Sequence, residues 1–297
     1  MRARDEAWIL LDERPERGLG PALAWARQQR AEVVHVLTEA AAGMLARRAA
    51  AFAQPPHVWQ VEGRLLRTAL PEPFRPPAQV EPELLAFRSL IERVGATPVV
   101  EHGVLVGEVA GLEVCRAVRD DHLGVVRLDV GVGAHDREAF QLMHGDVPTE
   151  QSLARVVATV AEHRRPGAPP HPLNRLGAER ALRARLVRRP DLLGMDDLEV
   201  APPPIPRTNL KDPVPCVAIA RGADGRVAVV VCSVGIDLDV VPFAADARAA
   251  IAAVGHAGVG ADADLVIAVP ERDVHPVTQA LASMLRHPAR IVGVPAS

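Results

Sequence analysis

A chain of 297 residues, 48% hydrophobic and 24% charged, can bury a sizeable core and is not a disordered polymer. Its formal net charge of −3 excludes a globally basic nucleic-acid binder, so any phosphate-seeking surface must be local. No stretch approaches the ~18 consecutive apolar residues of a membrane-spanning helix, the apolar run near the N-terminus is too short for a signal peptide, and a cytoplasmic protein with no membrane partner is expected.

Residues 7–11 (AWILL) read as a buried strand, and 21–30, opened by Pro21, as a helix. A strand follows at 32–37, then an Ala-rich helix at 39–53 and a hairpin of 57–61 with 64–66. Prolines crowd 69–82, which marks a linker. The apolar spacing of Leu84, Leu85, Leu90, Ile91 and Val94 predicts a helix over 82–94. Strands are expected at 97–101, at 104–118 with breaks at Gly107 and Gly111, and at 124–132, with helices at 137–144 and 149–163. A second break at 164–172 precedes a basic helix over 173–189, and 201–206 (APPPIP) makes a third linker. The rest reads as a hairpin of 214–221 and 226–234 about Asp224-Gly225, a helix at 242–254, a strand at 264–269, a helix at 275–286 and a strand at 289–294.

The fold class that follows is α/β, with mixed sheets flanked by helices and two or three small units joined by Pro-rich linkers. The boundaries expected are a small α/β unit over 1–70, a second over 79–163, a basic helix and linker over 164–206, and a C-terminal unit over 207–297. A degenerate duplication is a further reading, because 125–140 and 229–243 each place an Asp four residues before a Phe, Asp136 before Phe140 and Asp239 before Phe243.

Four groupings could carry chemistry. Around the glycine-rich turn near Gly131 stand Asp129, His135 and Asp136, residue types that bind a divalent metal or act as general acid and base. Helix capping accounts for Asp136 equally well. Asp237 and Asp239 would share one side of a strand. Gly131 and Gly133 form an incomplete phosphate loop with an acid in it. In 163–189, eight arginines face one acid, Glu179. There Arg175, Arg180, Arg183, Arg185, Arg188 and Arg189 offer phosphate contacts, or else pair with acids within the molecule. Lys211 is the only lysine, so the arginine richness also reflects compositional bias. Cys115, Cys216 and Cys232 are scattered with no CxxC pair, against both a disulfide framework and a cysteine-held zinc.

The element order over 82–163 and 207–297 resembles the core of the PD-(D/E)xK nucleases. That resemblance implies Glu113 as the first acid and Asp129-Val130-Gly131 as the (D/E)xK triplet, with Gly131 where the lysine belongs. In the C-terminal segment Cys232-Ser233-Val234 holds neither acid nor lysine. A fold that binds nucleic acid more readily than it cuts is implied. The alternatives are a metal-dependent hydrolase or phosphoesterase, with Glu113 and Asp129 holding Mg²⁺ and His135 as base, and a protein-interaction scaffold.

Overall fold

The computed structural model describes residues 2–3, 5–75, 78–120, 124–133, 136–137, 149–206, 214–256 and 258–296. The described strands form three sheets, two of five strands and one of four, flanked by helices. The fold is α/β. Among the described residues no helix is long and apolar enough to cross a membrane. Two compact units emerge: residues 1–75 together with 219–296, and residues 76–218. The first and last segments marked out by the proline linkers thus fall largely in one unit.

The first unit opens with β1 (Arg2–Ala3), β2 (Glu6–Leu11), α1 (Leu19–Gln28), β3 (Val33–Thr38), α2 (Ala42–Ala49), β4 (His57–Glu62) and β5 (Leu65–Thr68). β2, β3 and β4 pair in parallel, with β1 and β5 antiparallel at the edges. Register places Ala7, Val36 and Val58 on one face, where all three are buried. The other face gathers scarce aromatic residues. Trp8 stacks on His35 at 3.8 Å, His35 on His57 at 5.0 Å, and Trp59 Nε1 donates to His35 Nδ1 at 3.1 Å. Burial, and His57 beside it, hold His35 below the ordinary imidazole range, with Glu6 working against them.

The second unit begins with two short helices, α3 (Pro82–Leu85) and α4 (Arg88–Arg93). They are joined through Ala86 and Phe87, so the single helix expected over 82–94 is interrupted. An antiparallel meander follows: β6 (Thr97–Glu101), β7 (Val104–Val109), β8 (Leu112–Arg119) and β9 (Val126–Val130). Two-residue turns close its hairpins at His102-Gly103 and Ala110-Gly111, all four residues at positive φ, as the twist of a tight hairpin requires. α5 (Thr149–Arg164) packs Leu153, Val157 and Val160 onto the apolar face of this sheet, against Leu105, Leu112, Leu128 and Val130. The basic helix is α6 (Ala178–Arg188), shorter than expected because Gly177 takes the left-handed conformation just before it. β10 (Asp197–Ala201) is a strand in the stretch expected to hold only the basic helix and linker, and it ends at Ala201 where the linker expected over 201–206 begins.

β11 (Cys216–Arg221) carries the chain back to the first unit, where the hairpin turn lies at Asp224-Gly225 as expected. Then come β12 (Val227–Cys232), α7 (Val240–Ala253), β13 (Asp264–Pro270), α8 (Pro276–Ser283) and β14 (Arg290–Val294), with β12, β13 and β14 parallel. β9 lies in the four-stranded sheet and β12 in a five-stranded one, so the two stretches compared as a duplication sit in different sheets. A buried ionic cluster joins α2 to α7. Arg47 grips Asp246 at 2.8 and 3.2 Å, while Arg48 reaches Asp246 at 3.3 Å and Asp239 at 3.1 Å. Asp239 also accepts from Gly20 N at 3.0 Å rather than capping its own helix. Burial pushes its carboxyl up to about 7, against the pull of Arg48 and the Gly20 amide.

Gly20 is where α1 meets the chain entering α7. A Cβ there would lie 2.1 Å from the Leu238 carbonyl oxygen, so backbone must move to admit any side chain. Gly20→Ala is expected to lower stability by about 1–3 kcal/mol in urea denaturation, the cost of forcing volume into a packed contact. The lowered pKa of His35 has the opposite sign to a paired histidine. The neutral ring is the folded form, so its share of stability is present above about 6.5 and lost as pH falls. The stability gap between the wild type and His35→Gln should therefore narrow from pH 7 to pH 5.

Candidate functional site

One irregularity in the meander organises the central unit. Gly107 pairs with Cys115 and Glu108 with Glu113, so Val114 is an extra residue in β8. The bulge turns Glu113 onto the same face as Arg116, which three-residue spacing in a regular strand would forbid. By register that face carries Thr97, Val99, Glu101, Val106, Glu108, Glu113, Arg116 and Asp129. One side of the sheet is therefore apolar and covered by α5, and the other is charged.

α6 supplies the countercharge. Arg180 and Arg183, one turn apart on its buried side, reach down to that face. Arg183 donates to Glu101 and lies 3.5 Å from Glu108. Arg180 lies 3.5 Å from Glu108 and 3.4 Å from Glu113. Glu113 also takes a two-pronged grip from Arg116 at 2.9 and 3.0 Å and a bond from Arg137 at 2.8 Å. Burial works to raise the Glu113 carboxyl, but Arg116, Arg137 and Arg180 win and hold it below the ordinary range. Burial likewise opposes the Arg183 charge, and Cys216, Glu108 and Glu101 outweigh it. Gly111 lets the helix come this close: a Cβ there would lie 2.3–2.4 Å from Arg180 and Ala181 backbone.

This geometry distributes the residues singled out in the sequence. Glu113 and Asp129 do share a face, but guanidinium groups occupy the Glu113 oxygens where a cation would sit. Asp129 accepts from Arg127 at 2.8 Å. Asp136 is exposed, and His135 lies outside the described residues. Among the described residues no group of three or more His, Cys, Asp or Glu could hold a metal. Cys115 is no nucleophile, since burial pushes its thiol up to about 12. Of the six arginines, Arg180 and Arg183 are buried, Arg189 is exposed and paired with Asp191 at 2.7 Å, and Arg185 is half-buried. Arg175 and Arg188 are exposed.

Beside the β7–β8 turn lies a cavity of about 430 Å³. Its polar lining is Thr97, Arg164, Arg165, Arg183, Arg188 and Glu108, and Val99, Val109, Val187 and Val200 contribute apolar wall. Arg164, at the end of α5, donates to the carbonyls of Ala110 at 2.7 Å, Leu173 at 2.7 Å and Leu176. Its Nε is buried without a hydrogen bond, and no carboxylate among the described residues bonds to it. Burial therefore pulls its pKa down to about 10, with Glu108 opposing. Among the described residues Arg188 donates only to the Ala184 carbonyl of its own helix, at 3.3 Å. Glu101 and Glu108 escaped the sequence reading. Their signal was there: an acid inside a Val-rich strand needs a buried partner, and the basic helix had cations to spare.

Truncating Glu113 would leave Arg116, Arg137 and Arg180 facing one another without their common anion. Glu113→Ala is expected to cost about 3–5 kcal/mol in chemical denaturation, the range for breaking a buried ion pair. The lowered pKa gives the sign with pH: the contribution of Glu113 holds above about 4.3 and is lost as acid protonates it. No family model, curated protein or solved structure matches this chain, so the chemistry of its side chains carries the functional reading.

Proposed function

We propose that the central unit is a phosphate-binding module whose seat is the arginine-lined cavity beside the β7–β8 turn. The observation that carries this reading is a surplus of guanidinium. Four arginines line the cavity against one acid, and that acid, Glu108, is already matched to Arg180 and Arg183. Arg164, Arg165 and Arg188 have no carboxylate partner among the described residues. Guanidinium presents forked donors suited to phosphate oxygens, and partial burial strengthens each such bond. An entering anion would supply what Arg164 lacks.

Phosphate can arrive as a small molecule or on a nucleic-acid backbone. Exposed Arg165, Arg175 and Arg188 favour a nucleic-acid strand as the second source. The inward setting of Arg180 and Arg183 removes two of the six arginines of 175–189 singled out in the sequence from such a surface.

The test is thermal denaturation with inorganic phosphate beside salt-dependent binding of a duplex oligonucleotide. Phosphate at about ten times its Kd should stabilise the wild type by about 1.4 kcal/mol. The double variant Arg165→Glu, Arg188→Glu should lose that response while keeping its fold, both positions being exposed or outside the buried network. An equal phosphate response in both proteins overturns the reading. Duplex binding without a phosphate response moves the site to the exposed arginines outside the cavity.

A further inference from the structure

We infer that the cavity beside the β7–β8 turn selects a short aliphatic phosphate monoester, its phosphate on the arginine side and its hydrocarbon against the valines. The inference rests on the phosphate-binding reading and adds the class of ligand. Three features lead to it. First, about 430 Å³ falls in the size range of small-molecule pockets and exceeds what a bare oxyanion needs. Second, the walls divide by chemistry. Arg164, Arg165 and Arg188 supply cations, while Val109, Val187 and Val200 present branched hydrocarbon, and Thr97 is the one uncharged side chain in the lining that carries a hydroxyl. Third, no aromatic side chain lines the cavity, so a nucleobase or other flat ring finds no stacking partner. The excess of cation over acid in the lining favours a dianion over a carboxylate.

Val187 is the discriminating position. It is half-buried, on the cavity side of α6, and outside the sheet core. Isothermal titration of the full chain with n-butyl phosphate, inorganic phosphate and butyrate tests the inference. Butyl phosphate should bind roughly tenfold or more tightly than inorganic phosphate, because burying each methylene contributes favourably. It should also outbind butyrate. Val187→Ser should erase most of the gain from the butyl chain while leaving inorganic phosphate binding within about twofold. Equal affinity for butyl and inorganic phosphate overturns the inference and leaves the phosphate reading standing. Failure of every phosphate to bind removes both. Should Val187→Ser fail to fold, the comparison of the three ligands on the wild type decides alone.

Discussion

Everything in the central unit depends on three glutamates on one sheet face, two buried and Glu101 half-buried, and two arginines that one helix sends to meet them. Charges taken out of water cost several kcal/mol each unless matched at close range. Glu101, Glu108 and Glu113 are matched by Arg180 and Arg183 from above and by Arg116 and Arg137 from beside. The match fixes where α6 lies and at what height over the sheet. It also fixes the bulge at Val114, since without the extra residue Glu113 would point into the apolar side under α5. The bare glycine at 111 is the steric counterpart, clearing room for the helix backbone.

The first unit solves a different problem by the same means. Its two halves come from opposite ends of the chain, separated by about 200 positions in the Arg47–Asp246 and Arg48–Asp239 pairs. Closing so long a loop costs entropy that grows only slowly with length. Apolar contact between helices could meet that cost without fixing which faces meet. A guanidinium buried beside two aspartates fixes it, because any slipped arrangement strands a charge. In both units the ionic pairs thus specify arrangement more than they add stability.

Much of the secondary structure was legible because local chemistry dictates it. The Val-rich strands and the Asp224-Gly225 hairpin follow from near neighbours in the chain. Near neighbours also supply the caps at His171 and His275, each of which accepts the backbone N–H two residues on. What depended on distant partners was not legible. The spacing of Arg180 and Arg183 reads equally as an outward phosphate face or an inward ionic one, and only the acids of β6, β7 and β8 decide. Those acids lie some 70 to 80 positions away in the chain. Glu113 was expected as a metal ligand only through the nuclease resemblance. Its partners proved to be guanidinium groups. β10 was hidden because the prolines that follow it resemble a linker, although Asp197–Ala201 alternates sides as a strand does.

The cavity follows from that ionic arrangement. The three acids of that sheet face, Glu101, Glu108 and Glu113, cannot neutralise every arginine brought near them, and those at the end of the helix and at the end of α5 are left over. Of these leftover cations Arg164 is already held, so it loses little freedom when an anion arrives, which is the condition for useful affinity from few contacts. Arg164 carries this furthest: three backbone carbonyls fix its orientation without cancelling its charge. A carbonyl dipole holds a guanidinium in place, whereas a carboxylate would consume it. On the phosphate-binding reading proposed above, the same positive surplus that disfavours a divalent metal at Glu113 would seat the anion a short way along the sheet.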